Sequence, residues 1–101
     1  MHILLQVDFP FNGPFGEKMT EALTELAHSI IEEPGFIWKI WTEQESLKEA
    51  GGIYLFENKE AAGAYLEKHT ARLKDLGVSE VRGRIYDINI ELSKITNAPI
   101  A

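Results

Sequence analysis

Pro34-Gly35-Phe36-Ile37-Trp38-Lys39-Ile40-Trp41-Thr42-Glu43, followed beyond a polar Gln44–Ala50 connection by Gly52-Ile53-Tyr54-Leu55-Phe56, is the stretch on which the fold turns. Both runs are rich in aromatic and β-branched residues and are bounded by glycine or proline, the composition of strands. Two strands therefore follow one another in the middle of the chain, and a helical pattern lies on either side of them.

Upstream, Phe15 to Glu33 carries Met19, Ala22, Leu23, Leu26, Ala27 and Ile30 at helical spacing, which predicts one apolar stripe. Pro34-Gly35 ends that helix, since proline cannot continue the hydrogen-bond ladder. Before it, Ile3, Leu5, Val7 and Phe9 alternate with Leu4, Gln6 and Asp8, the period of a strand. Downstream, Asn58 is placed to cap a helix over Lys59–Leu76 whose stripe is Ala62, Tyr65, Leu66, His69, Leu73 and Leu76. Gly77 suits the left-handed residue after it. Val78 to Ile90 reads as a last strand. Glu91 to Ala101 reads as a tail that packs on a neighbour or frays. The order βαββαβ is the ferredoxin-like split βαβ pattern: an α+β fold with an antiparallel four-stranded sheet and two helices on one face. Residues 1–101 form a single domain, an ordinary length for one.

Helices on one face leave the other open. Taking Ile3, Leu5, Val7 and Phe9 toward the helices, strict alternation puts Phe36, Trp38 and Ile40 on that side too. It puts Ile37, Lys39, Trp41, Tyr54, Phe56, Tyr86 and Ile88 on the far face, among Gln6, Asp8, Glu43 and Arg84. That much aromatic surface is rarely left in water, so two sheets are expected to pack face to face as a homodimer.

Composition narrows the function. Acidic residues number 16 and basic ones 10, for a net charge of −6, and no Lys/Arg cluster interrupts the balance. Nucleic acid and anionic membranes are poor partners for such a chain. No stretch reaches the length of a membrane span and the N-terminus lacks a basic start, so a cytoplasmic protein is the default. The absence of cysteine excludes disulfides, thiolate metal sites and a cysteine nucleophile. There is no G-x-G-x-x-G, no H-E-x-x-H and no nucleophile elbow, so no cofactor or metal site is read from the sequence.

Four segments carry a resemblance: Phe11-Asn12-Gly13-Pro14-Phe15-Gly16, Glu33 to Glu43, Glu49 to Phe56, and Ala64 to Leu73. Through them the chain resembles the YdhR-type mono-oxygenases along almost its whole length. The resemblance implies a dimeric α+β barrel. It also implies kinship with cofactor-independent mono-oxygenases that oxidise polycyclic aromatic phenols, and more distantly with haem-degrading enzymes of the same fold. The function read from it is mono-oxygenation of a hydroxylated aromatic, with a small aromatic substrate and dioxygen as partners. The rival readings are a non-catalytic homodimer that binds a small aromatic molecule, and haem breakdown.

His69 is the leading catalytic candidate. On an apolar helix stripe its imidazole is neutral and able to take a phenol proton; the plainer alternative is a core histidine bonded to a carbonyl or a tyrosine. Trp38, placed near His69 and Tyr65, and Trp41, placed against the partner sheet, join Tyr54, Tyr65 and Phe9 as candidate walls for a flat ligand, with core packing as their ordinary role. Asn12 stands at the end of the first strand, either to hold a phenolate oxygen or to shape a turn. Arg72, three residues after His69, is either a ligand contact or half of a surface ion pair with Asp75 or Glu67.

Overall fold

The computed structural model describes residues 2–100. Strand β1 (Ile3–Pro10) is followed by helix α1 (Glu17–Ile30), strand β2 (Phe36–Gln44), a 3-10 turn (Glu45–Leu47), strand β3 (Glu49–Phe56), helix α2 (Lys59–Asp75), strand β4 (Arg82–Asp87) and a short helix α3 (Ile90–Ile95). The sheet order is β2-β3-β1-β4, with every neighbouring pair antiparallel. This is the expected βαββαβ arrangement.

The alternation in β1 works as read. Ile3, Leu5, Val7 and Phe9 are buried and meet Met19 and Ile30 of α1 and Ala62, Tyr65 and Leu73 of α2 in one core. Full burial of each such aliphatic side chain stabilises the fold by about 1.5–3 kcal/mol. Asn58 caps α2 by accepting from the Ala61 N–H at 2.8 Å. Gly77, at φ 93°, closes the helix, and the Val78 N–H turns back to the Leu73 carbonyl.

Several boundaries move. Gly16 holds φ 62°, so α1 starts at Glu17 rather than Phe15. β3 begins at Glu49 because Ala50 and Gly51 already pair with Phe9 and Asp8. β4 keeps only Arg82–Asp87, and α3 follows with Asn89 as its cap, accepting from the Leu92 N–H at 3.0 Å. The tail packs rather than frays: the Trp38 indole N–H donates to the Pro99 carbonyl at 2.9 Å, and Ile100 beside it is buried.

The larger correction concerns faces. Phe36 pairs with Phe56, but Trp38 pairs with Leu55, so Ile37 is an extra residue in a β-bulge. One extra residue reverses every later side chain. Lys39 (opposite Tyr54) and Trp41 (opposite Gly52) therefore face the helices, whereas Trp38 and Ile40 face away. Tyr54 and Phe56 also belong to the helix side, because their β1 partners are Leu5 and Ile3. The far face is left with Leu4, Ile40, Ile53 and Tyr86 among Gln6, Thr42 and Arg84, and Asp8 is ion-paired within the chain to Arg82. No helix among the described residues is long and apolar enough to cross a membrane.

Candidate active site

The reversed β2 strand and the stripe of α2 converge on a cavity of about 260 Å³ between the sheet and the helices. Phe9 comes from β1, Met19, Leu23 and Leu26 from α1, Trp41 from β2 and Leu73 from α2. Three polar side chains reach it: Asn12 just beyond β1, Lys39 from β2 and His69 from α2.

Lys39 is set by its strand neighbours. Its Nζ lies 3.3 Å from the Trp41 ring centroid and 4.7 Å from that of Tyr54. It makes no ion pair with a carboxylate among the described residues. Burial, reinforced by the Arg72 cation, pulls its ammonium down to about 7.

His69 is only 3% exposed. Its Nδ1 accepts from Arg72 Nη2 at 2.9 Å, and arginine has no acceptor to offer in return. The ring's one proton in the neutral state is therefore on Nε2. Burial, then the Lys39 and Arg72 cations, pulls its basicity down to about 3. Tyr65 stacks on the imidazole with centroids 5.1 Å apart, and its hydroxyl shares a hydrogen bond with that of Tyr54 at 3.0 Å. Burial raises both phenols above their ordinary range, so both stay protonated. Arg72 is held inward by His69, with its Nε buried and unpartnered, instead of joining the surface pair with Asp75 or Glu67.

Of the residues singled out from the sequence, Phe9, Asn12, Trp41 and His69 line the cavity. Tyr54, Tyr65 and Arg72 form the layer behind Lys39 and His69. Trp38 is on the opposite face, bound to the tail. Lys39 is the residue that sequence reasoning missed, because strict alternation had sent it to the far face. The available signal was Gly51-Gly52 inside a strand, a mark of close approach by a neighbour. A Cβ on Gly52 would stand 2.5 Å from Lys39 Cε.

A family model described as "Putative mono-oxygenase ydhR" matches residues 4–99. No curated protein matches the sequence. Among solved structures, a putative antibiotic biosynthesis monooxygenase from Deinococcus radiodurans superposes with a TM-score of 0.62 at 15% identity, covering 86% of this chain and 92% of that one. SnoaB, a cofactor-independent oxygenase from Streptomyces nogalater, gives 0.61 at 15% identity over 87% and 93%. A monooxygenase from the gene ActVA-Orf6 of Streptomyces coelicolor, in complex with Nanaomycin D, gives 0.59 at 19% identity over 86% and 87%. At these identities the likeness is one of fold.

Proposed function

The chain belongs to the ydhR mono-oxygenase family, and from that premise we propose that it oxidises a hydroxylated aromatic of one or two rings, with dioxygen as co-substrate. The observation that carries this reading is the cavity: apolar and aromatic walls, with an amine and a neutral imidazole inside. Its volume of about 260 Å³ exceeds the roughly 150 Å³ that accepts benzene and falls just below the roughly 300–1,000 Å³ of common ligand pockets. That size admits arenes of one or two rings, the smaller members of the class implied by the sequence resemblance. SnoaB, described as cofactor-independent, and the ActVA-Orf6 enzyme with its bound Nanaomycin D support this choice of chemistry.

The reaction balances without an external reductant. A hydroxyarene loses its phenolic proton, and the electron-rich anion reduces dioxygen. One oxygen atom enters the ring to give a quinone and the other leaves as water, with every electron drawn from the substrate. The protein contributes orientation between Phe9 and Trp41, a dry pocket and fixed donors for the phenolate oxygen. Asn12 and the Nε2–H of His69 are those donors. His69 thus enters as a donor rather than as the base suggested by its place in the sequence, because its accepting nitrogen is occupied by Arg72.

Oxygen uptake by purified protein against hydroxylated benzenes and naphthalenes tests the reading. Uptake above the rate without enzyme, with quinone formed, supports it. A flat trace with saturable quenching of Trp41 fluorescence would replace it with a binding module. His69→Ala is expected to lower turnover about 100-fold, the scale of one lost oxyanion donor. His69→Gln, which restores an N–H, should recover part of the loss. No recovery would remove the donor role.

The far face supports pairing with a second copy, as one dimeric domain. Ile40 is 53% and Tyr86 41% exposed there, on the same face as Gln6 and Arg84. Sedimentation of the wild type at micromolar concentration should show a dimer, and Ile40→Asp should shift it to monomer. A monomeric wild type would end this part of the reading.

A further inference from the structure

We infer that Lys39 is the proton acceptor of this cavity and the counter-charge of the aromatic anion formed there. The inference rests on the reading of the cavity as a hydroxyarene site.

Position comes first. The Lys39 stem crosses β3 over Gly52, where any Cβ would stand 2.5 Å from its Cε. The missing side chain lets the amine reach the space between Trp41 and Tyr54 on the cavity wall. Aromatic faces attract an ammonium but accept none of its protons in the way a carboxylate does.

Charge comes second. From β2 the amine meets Trp41, and from β3 Tyr54. From α2 come His69, Arg72 and, behind them, Tyr65. α1 gives the cavity only Met19, Leu23 and Leu26, and β1 gives Phe9 and Pro10. His69 is neutral, both tyrosines are protonated and Arg72 is a cation. Among the described residues, no acidic side chain lines the cavity. A buried amine beside a fixed guanidinium, with no carboxylate, is poised to hold a proton only when an anion arrives with it. His69 cannot serve instead, since its lone pair is engaged by Arg72.

The step is a proton transfer. The phenolic O–H bond breaks, an N–H bond forms on Lys39 Nζ, and the O–H electron pair stays on oxygen. Phenolate and ammonium then face each other, with no change in the net charge of the site.

The test uses 4-nitrophenol, whose anion alone absorbs in the visible and which is too electron-poor to react with oxygen. Nitrobenzene is the control of like shape without an ionisable group. Binding is measured in mildly acidic buffer, where free 4-nitrophenol is mostly un-ionised. The wild type should bind 4-nitrophenol with the anion band and at least about tenfold more tightly than nitrobenzene, the scale of one pKa unit. Lys39→Met should abolish band and preference while nitrobenzene binding persists, which also shows that the variant is folded. Gly52→Ala, which displaces the amine without removing it, should reduce the preference. Should Lys39→Met fail to fold, the Lys39 Cε resonance of the wild type decides, recorded about one pH unit above 7, where the free amine is mostly un-ionised: it should move to the ammonium position with 4-nitrophenol and stay with nitrobenzene. An anion band that survives in Lys39→Met, no band in the wild type, or an unmoved resonance overturns the inference. Oxygen uptake separates the two claims. A flat uptake trace with the band intact ends the oxygenase reading alone; uptake with no band ends the role of Lys39 alone.

Discussion

Gly51→Ala is expected to lower stability by about 3 kcal/mol or more, the upper end of overpacking in a core. For a domain of 101 residues that corresponds to a melting temperature roughly 12–24 °C lower. The cause is backbone, not side chain. A Cβ on Gly51 would stand 2.0 Å from the Val7 carbonyl oxygen and 2.8 Å from the Asp8 Cα. β1 cannot yield, because it is an inner strand, pinned by β3 on one edge and β4 on the other. The neighbouring Gly52→Ala meets only the far end of the flexible Lys39 side chain and one edge of Tyr54. Its cost in stability should be below about 1.5 kcal/mol, and its effect should fall on the site. Thermal unfolding of the two variants side by side checks this. Equal melting temperatures would mean that β1 and β3 slide apart more easily than their pairing indicates.

The same two glycines show where the sequence was legible and where it was not. Helix α2 could be read almost whole: its stripe, its Asn58 cap and its Gly77 stop are local signals. β1 could be read because one of its faces is apolar and the other is not. β2 is apolar on both faces, with Phe36, Trp38 and Ile40 in one set and Ile37 and Trp41 in the other, so alternation alone cannot say which set turns inward. The bulge at Ile37 then exchanges them within the strand, and no local signal marks it. The error reached the site directly, since it placed Trp38 in the cavity and Lys39 outside. Tyr54 was misplaced for a related reason: a tyrosine is tolerated in the core when its hydroxyl finds a partner, and Tyr65 is that partner from a distant helix. α3 is six residues long, too short for a helical period to show; Asn89 was its one local sign. The burial of His69 was legible from its stripe. The direction of its proton was not, because it depends on Arg72 turning inward.

The pH profile of oxygen uptake distinguishes Lys39 from His69 as base, and with it comes the largest expected effect on activity. With Lys39 as acceptor, kcat/KM should rise tenfold per pH unit up to about 7, where the free enzyme's amine loses its proton. It should then hold level and decline as the substrate's own phenol ionises, near 10 for a simple phenol. The acid limb belongs to the enzyme and stays put between substrates, whereas the alkaline limb follows the substrate. With His69 as base, midpoint about 3, the rate would be flat from pH 5 to the alkaline limb. Loss of stability overlaps the acid limb and is separated from it by a direct check of folding. The folded-state value of His69 is depressed below that of the unfolded chain, so the unfolded form binds the extra proton, and stability is lost as pH falls from 6.5 toward 3. The depressed Lys39 acts likewise at higher pH, with stability rising from about 7 to 10.5 as the unfolded chain alone stays protonated. Both effects make the protein more stable with rising pH, so a circular-dichroism check at pH 5 guards the acid limb and the alkaline limb needs no such correction from these groups. Lys39→Met should lower kcat/KM by about 10²–10⁴ and erase the inflection near 7. A profile in that variant that keeps the inflection would place the titrating group elsewhere.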